Sequence, residues 1–446
     1  MNSTTQNTLT EGKLAPALLR FAVPFLISNF LQALYGAVDL FVVGQFSTSA
    51  SVSAVAIGSQ VMQTVTWIIL GISMGGTVLI GQKIGEKNGE GAAEAVGCVA
   101  VLFGLMALVL TPLMLIAVNG AVALMKTPPE AVSAARSYIF ICSCGLPFIT
   151  GYNGVSGIFR GIGDSRTPVI FIGLACIVNV IGDFLFTGWM GMGAAGAALA
   201  TVIAQAVSFL AALAYMYKKG FSFPFGRRHL RLRRKPAAAI LKVGFPLALQ
   251  DALVNVSFLI ITTIINTMGL TASAAVGVVE KIISFAMLPP SAIASAVTTV
   301  TAQNIGAKKP ERAKRALWYG IGFSMIFGIV VCIFVQFFAP LVTAVFSRDE
   351  AVILAAAQYL RSYSYDCILV SFVFCINSYF SGRSNALVPF IHSMIATFLV
   401  RIPATYGFSL IAGDSLFPMG LAAPLASFVS IVICFGYMRW EEARKR

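Results

Sequence analysis

Twelve long apolar runs are the feature that most constrains how this chain can fold. A helix needs about 20 apolar residues to cross a bilayer, and the runs have that length. They cover residues 17–43, 53–80, 94–118, 134–158, 167–189, 194–217, 238–267, 273–300, 315–345, 352–380, 388–411 and 419–438. With 58% hydrophobic and 11% charged residues, the chain carries too much apolar surface for a soluble fold. We therefore predict an all-α polytopic membrane protein with twelve transmembrane helices.

One strongly basic connection divides the runs into two sets of six. It spans residues 218–237 and carries eight Lys and Arg side chains. We expect His229, within this connection, to be solvated. The predicted organisation is a tail at 1–16, an N-lobe at 17–217, the basic linker at 218–237, a C-lobe at 238–438 and a second tail at 439–446.

The distribution of basic residues predicts the orientation in the membrane. Both termini and the even-numbered connections hold 25 of the 31 Lys and Arg residues, and the opposite side holds four. The remaining two, Lys281 and Arg401, lie within apolar runs. Because basic residues concentrate on the cytoplasmic side, we expect a cell-membrane protein with both termini in the cytoplasm. The net charge of +14 then reflects lipid-facing loops rather than nucleic-acid binding.

The two sets of six runs repeat each other at a nearly constant offset. Pro24 corresponds to Pro246, 222 residues later, and three further segments correspond at offsets of 220 or 221. These pairs are 81–87 with 302–308, 130–132 with 350–352, and 159–161 with 380–382. Because each set has an even number of spans, the repeats are parallel, a design that transporters use. Duplication without transport is the alternative.

The repeat differs at an acidic pair inside the membrane. Asp39 in the first run corresponds to Ile261, and Asp183 in the fifth run corresponds to Ala404. Charged side chains within a bilayer are costly, so a pair that only one half carries suggests a function. Asn179 lies one helical turn before Asp183, on the same helix face.

Depth along the helices predicts that these side chains converge. Asp39 lies roughly 29 Å along its helix from Arg20, and Asp183 lies roughly 24 Å from the cytoplasmic end of its run. Thr201 lies roughly 10 Å from the outer end of the sixth run. Two carboxylates, an amide and a hydroxyl suit a small cation such as Na⁺, or a proton shared between the carboxylates. In the alternative, each Asp caps backbone groups or pairs with a cation that the sequence does not identify.

The C-terminal half carries its own charges within apolar runs. They are Asp251, Glu280, Lys281, Asp366 and Arg401. These residues either line a substrate path or form internal ion pairs, and the sequence leaves both interpretations open. A single His392 in the eleventh run is more typical of a structural hydrogen bond than of a proton relay.

Five segments together resemble the multidrug and toxic compound extrusion (MATE) family over nearly the whole chain. They are YGAVD at 35–39, GQKIG at 81–85, FRGIGDSRTP at 159–168, NVIGD at 179–183 with GAALAT at 196–201, and AQNIGA at 302–307. The resemblance implies two six-helix lobes around a central cleft, and export of organic, often cationic and amphipathic compounds driven by Na⁺ or H⁺. It implies no enzymatic activity and no cofactor beyond the coupling ion.

The resemblance also carries over individual residues. It assigns the N-lobe cation site, occupied by Na⁺ in a sodium-coupled protein, to Asp39, Asn179, Asp183 and Thr201. It suggests cavity positions at Gln32, Tyr35 and Asn153, and we add Asp251, Glu280 and Arg401 as candidate substrate contacts in the C-lobe. A glutamate of one branch aligns with Val254 here, so the chain is more similar to the branch whose cation site is in the N-lobe.

Two other functions remain open at this point. A flippase for lipid-linked saccharides would need more basic residues along its path than Lys281 and Arg401. A channel or receptor-like protein would not accumulate substrate against a gradient. The expected partners are small organic molecules and the lipid bilayer, with no nucleic acid, and we expect a monomer.

Overall fold

The computed structural model describes residues 9–411 and 415–445, and within these ranges the chain is helical with no strand. The prediction of an all-α protein is confirmed. The α-helices are α1 Leu14–Phe46, α2 Ser49–Gly85, α3 Gly89–Leu124, α4 Val132–Cys144, α5 Leu146–Ile162, α6 Arg166–Gly182, α7 Gly193–Lys219, α8 Arg234–Asn266, α9 Leu270–Ala286, α10 Leu288–Gly306, α11 Pro310–Ala344, α12 Glu350–Tyr363, α13 Asp366–Gly382, α14 Leu387–Met394, α15 Ile402–Ile411, α16 Phe417–Gly420 and α17 Ala422–Lys445. Two π-helices, Asp183–Trp189 and Ile395–Arg401, continue α6 and α14.

The candidate membrane spans agree in number with the twelve apolar runs. In the described ranges, nine helices are long and apolar enough to cross a bilayer, or up to twelve if each bent pair is one span. The bent pairs are Pro129–Cys144 with Leu146–Ile162 at 49°, Leu270–Ala286 with Leu288–Gly306 at 42°, and Glu350–Tyr363 with Asp366–Gly382 at 47°.

Three of the candidate spans are bent rather than straight. Pro147 follows the first break, and Pro289 and Pro290 follow the second. A proline ring cannot donate the backbone hydrogen bond that would continue the helix, so the chain bends there. The third break, at Ser364 and Tyr365, has no proline.

The chain forms two compact units. The first comprises Ile27–Ala248 and Gly306–Lys308, and the second comprises Leu9–Leu26, Leu249–Ile305 and the described part of Lys309–Arg446. Helix α1 therefore contributes its first 13 residues, up to Leu26, to the second unit and its remainder, with Asp39, to the first. The lobe bounds inferred from the apolar runs stay a prediction.

Small residues allow close helix packing inside the first unit. Thr77 Oγ1 on α2 donates to the carbonyl oxygen of Gly157 on α5 over 3.0 Å. A Cβ atom at Gly157 would clash with Ser73 Oγ, so a larger residue there would displace the Ser73 hydroxyl. Such contacts replace the hydrophobic effect as the source of helix association within a bilayer.

The basic linker is docked on the first unit, and the expectation of a solvated His229 was wrong. His229 is 2% exposed, and its Nε2 lies 3.0 Å from Glu90 Oε1 at the start of α3. Arg228 pairs with the other Glu90 oxygen over 3.1 Å, and Arg233 pairs with Glu94. The rings of three linker phenylalanines contact one another and pack against the apolar core; they are Phe221, Phe223 and Phe225.

Candidate functional site

Three segments of the first unit bring the four predicted cation-site residues together. Asp39 lies on α1 and Thr201 on α7. Asn179 lies in the last turn of α6, and Asp183 begins the π-helix. All four side chains are buried, with exposed fractions of 5% for Asp39, 0% for Asn179 and Asp183, and 7% for Thr201. A π-helix widens the backbone turn and is frequent at functional sites, and here it starts at one of the two carboxylates.

The Asp39 carboxylate is the centre of this group. Thr201 Oγ1 donates to Asp39 Oδ2 over 3.4 Å. The side chains of Asn179 and Asp183 lie near the Asp39 carboxylate, without a hydrogen bond of ordinary geometry to it. These residues therefore form one cluster, as their depths along the helices predicted. Their role in binding a cation stays a prediction.

Several polar atoms of the cluster have no hydrogen-bond partner among the described residues. They are Asp39 Oδ1, both carboxylate oxygens of Asp183, and both polar side-chain atoms of Asn179. Buried polar atoms are normally paired, and an unpaired buried carboxylate is costly. No Lys or Arg of the described ranges forms an ion pair with either Asp, which weighs against the purely structural alternative. The donor set of hard oxygens fits a small cation or a shared proton.

Small residues let the two helices beside the cluster approach closely. A Cβ atom at Gly182 would lie 2.9 Å from the Ala200 side chain, and one at Gly196 would lie 2.9 Å from Thr187 Oγ1. Thr187 itself donates to the Gly193 carbonyl oxygen over 3.2 Å. The GAALAT segment thus brings Thr201 of α7 beside the end of α6.

The remaining N-lobe candidates lie in different surroundings. Tyr35 interacts with Gln205 and, electrostatically, with Asp39. Gln32 is exposed. The Asn153 amide donates to the Ile149 carbonyl oxygen of its own helix over 2.8 Å, which ties that side chain to the backbone.

Sequence reasoning missed Gln205 as a neighbour of this group. Gln205 lies four residues after Thr201, on the same face of α7. That spacing was the signal that could have found it.

Two of the charged candidates of the second unit, Glu280 and Asp366, interact electrostatically with Arg401, which ends the second π-helix. The Arg401 guanidinium lies over the Phe258 ring, 4.3 Å from its centroid. Asp366 is 5% exposed, whereas Asp251, Glu280 and Arg401 are half-buried.

His392 is held by hydrogen bonds inside the second unit. Its Nε2 lies 2.6 Å from Asn377 Oδ1, and its Nδ1 lies 3.2 Å from Ser430 Oγ. The ring is 1% exposed. These contacts favour the structural interpretation of this histidine.

Comparisons with known proteins give a consistent result. The MatE family model matches residues 24–185 and 246–407, the same 222-residue offset that relates Pro24 to Pro246. The chain is similar to "Probable multidrug resistance protein YoeA" of Bacillus subtilis, with 27% identity covering 100% of this chain and 99% of that protein. It is also similar to "Probable multidrug resistance protein NorM" of Thermotoga maritima, with 26% identity over 87% and 84% of the two chains.

A solved structure shares the fold. It is described as the outward-facing conformation of a multidrug resistance MATE family transporter of the MOP superfamily. The TM-score is 0.92 at 23% identity, with 100% of both chains covered.

Proposed function

Because this chain belongs to the MatE family, a family of membrane transporters and not of enzymes, we propose that it is a secondary active exporter of organic compounds. It exchanges cytoplasmic substrate for inward-moving Na⁺ or H⁺, and it uses no other cofactor. The names of the relatives in Bacillus subtilis and Thermotoga maritima support multidrug efflux. Organic, often cationic and amphipathic molecules are the proposed substrate class.

The observation that carries this proposal is the buried, unpaired acidic group of the first unit. Asp39 and Asp183 lie together without a basic partner among the described residues. The repeat-related positions hold Ile261 and Ala404. A coupling ion needs a site in one half only, and this asymmetry supports such a site at Asp39, Asn179, Asp183 and Thr201.

The proposed coupling step follows from the charges. Without a bound cation, the like charges of Asp39 and Asp183 repel each other, which disfavours close packing of α1 against the π-helix. A proton or Na⁺ removes that repulsion and favours the close packing. The ion thereby shifts the balance between two conformations that differ in their affinity for substrate.

The remaining candidates are proposed to contact substrate. They are Gln32, Tyr35 and Asn153 in the first unit, and Asp251, Glu280 and Arg401 in the second. We further propose that the protein acts as a monomer in the cell membrane, with both termini in the cytoplasm.

Transport in proteoliposomes under imposed gradients tests the proposal. The purified protein is reconstituted, and ethidium movement is followed while a Na⁺ gradient or a pH gradient is applied alone. One of the two gradients is expected to drive ethidium against its own concentration difference. Movement only down the ethidium gradient under both conditions would identify a channel and refute the proposal.

A flippase for lipid-linked saccharides is the second candidate, and the intramembrane Arg401 is the observation in its favour. A diphosphate would bind a guanidinium well. The carboxylates of Glu280 and Asp366 interact with the same guanidinium, and they would repel a doubly charged diphosphate. Translocation of a fluorescent lipid diphosphate in these vesicles, without ethidium transport, would favour the flippase.

A further inference from the structure

A groove on the surface of the first unit combines one positive charge with apolar side chains. It lies between α3, α4 and the start of α7 and has a volume of about 480 Å³. Its lining includes Leu115, Val118, Asn119, Arg136, Phe140 and Ile141. Among the described residues that line it, Arg136 alone carries a charge. The groove therefore suits a molecule that joins an anionic group to an apolar body.

The polar groups of Arg136 and Asn119 are accessible to such a molecule. Both side chains are exposed. On the described part of the chain, no Asp or Glu lies within 4.0 Å of the Arg136 nitrogens, and neither side chain forms a hydrogen bond. A guanidinium presents a planar fork of N–H donors that matches phosphate oxygens. An amide can both donate to and accept from hydroxyl groups.

The positions of these residues along α3 and α4 follow the order of groups in a phospholipid. Asn119 and Arg136 lie at or next to the ends of their apolar runs, where a span meets the head groups. On each helix an apolar side chain of the groove lies four residues further into the span, Leu115 on α3 and Phe140 on α4. Four residues of helix correspond to about 6 Å. The polar groups therefore lie at head-group depth, and the apolar ones lie at the start of the acyl chains.

Arg136 lies at the end of the first unit that carries few basic residues. The groove is near the end of α3, whereas the basic linker is docked at the start of that helix. The concentration of basic residues on the linker side therefore does not account for Arg136. The second half of the chain holds Ala356 or Ala357 at the repeat-related position. The positive charge is thus a feature of the first half and not of the repeated fold.

We propose that this groove binds an anionic phospholipid of the leaflet opposite the basic linker. Arg136 and Asn119 bind the phosphate and the hydroxyl groups of the head group, and the acyl chains lie along Leu115 and Phe140. Charge complementarity selects this occupant. A zwitterionic lipid carries an ammonium group that Arg136 repels, and an amphipathic organic cation meets the same repulsion. The lipid site is therefore separate from the proposed export of organic compounds, and its test does not depend on transport.

Photocrosslinking in a membrane tests the inference at the groove itself. The full-length protein is reconstituted in phosphatidylcholine vesicles that contain a small fraction of phosphatidylglycerol with a diazirine near the start of one acyl chain. Illumination attaches the lipid to neighbouring residues, and peptide mass spectrometry locates them. We expect labelling at Leu115 and Phe140. Phosphatidylcholine with the same diazirine chain is expected to label them about fivefold less, the effect of one basic side chain near a membrane surface.

Variants assign the preference to the guanidinium. Arg136→Gln is expected to lower phosphatidylglycerol labelling of Phe140 about fivefold, and Arg136→Lys is expected to keep part of it, because lysine retains the charge without the fork. Lys126→Gln is the matched control, since Lys126 is an exposed cation just beyond α3 and outside the lining. Its labelling is expected to equal that of the wild type. Labelling of the basic linker, at the other end of the unit, serves as the internal reference in every protein.

Two results would overturn the inference. One is equal labelling of Leu115 and Phe140 by the two probes in the wild-type protein, including none by either, which needs no variant to fold. It would identify a surface that any lipid covers. The other is an Arg136→Gln protein that loses no more phosphatidylglycerol labelling than Lys126→Gln.

Discussion

Thr201 Oγ1 donates a hydrogen bond to Asp39 Oδ2 over 3.4 Å, and this contact joins α7 to α1 across 162 positions of sequence. The hydroxyl satisfies one carboxylate oxygen, while Asp39 Oδ1 has no partner among the described residues. One oxygen of Asp39 is therefore held by Thr201, and the other is the oxygen that we propose to bind the coupling ion. The different surroundings of these two oxygens lead to the first prediction.

Thr201→Val is expected to weaken cation binding without abolishing coupling. Valine keeps the shape of threonine and removes the hydroxyl that orients Asp39. Because the hydrogen bond is long, a loss of about 0.5–1.5 kcal/mol is expected, which raises the half-saturating concentration of the coupling ion roughly two- to tenfold. Transport rates at increasing Na⁺ or H⁺ concentration measure this shift.

Thr187→Val is the matched control for Thr201→Val. Thr187 is also fully buried in the first unit, and its hydroxyl donates to the Gly193 carbonyl oxygen. The Thr187 hydroxyl donates away from Asp39, so the ion dependence of the Thr187→Val protein is expected to equal that of the wild-type protein. Equal shifts in both variants would contradict a specific role for the Thr201 hydroxyl.

Gly182→Ala is expected to disturb the close approach of α6 and α7. The added Cβ would lie 2.9 Å from the Ala200 side chain, so the helices must separate. Overpacking of this kind costs about 1–3 kcal/mol, and it moves Asp183 relative to Thr201. A lower thermal unfolding temperature in detergent together with weaker ion dependence is the expected result.

Gly173→Ala provides the comparison on the same helix. A Cβ atom at Gly173 meets nothing within 4 Å, and alanine favours the helix by about 1 kcal/mol relative to glycine. Unfolding at or slightly above the wild-type temperature is expected. A Gly182→Ala protein as stable as Gly173→Ala would show that the close approach is not required.

Gly97→Ala is expected to release the basic linker. A Cβ atom there would lie 1.9 Å from the His229 carbonyl oxygen, so the linker backbone could not stay in place. Limited chymotrypsin digestion then cleaves at Phe221, Phe223 or Phe225 faster than in the wild-type protein. Gly104→Ala, on the same helix with nothing within 4 Å, is expected to digest like the wild type, and equal digestion of both variants would contradict the docking.

The sequence predicted the features that the bilayer itself enforces. Bilayer thickness dictates the length of each apolar run, so the number and positions of the spans follow from hydropathy. Comparison of the two halves then identified Asp39 and Asp183, because each is an acidic residue within a span whose repeat-related position holds an apolar residue. Helix geometry predicted their convergence with Asn179, since residues four apart share a face.

Other features depend on tertiary packing that a single sequence does not reveal. From its sequence, the linker resembles a solvated basic loop. In the structure His229 is buried, because its ring contacts one Glu90 oxygen and Arg228 pairs with the other. The alternating phenylalanines at 221, 223 and 225 were the missed sign of a docked segment. The π-helix at Asp183 and the contact between Arg401 and Phe258 also arise from packing between helices distant in sequence.

The central claim is that Asp39 and Asp183 bind the coupling ion, and the most direct test separates coupling from substrate binding. Asp39→Asn and Asp183→Asn proteins are compared with wild type in proteoliposomes, first for ethidium exchange without an ion gradient and then for uphill ethidium transport under the gradient that drives the wild type. The exposed Glu130→Gln variant removes the same charge elsewhere in the first unit. The account predicts exchange in all four proteins and uphill transport only in wild type and Glu130→Gln, whereas wild-type uphill transport by both Asp variants would contradict it.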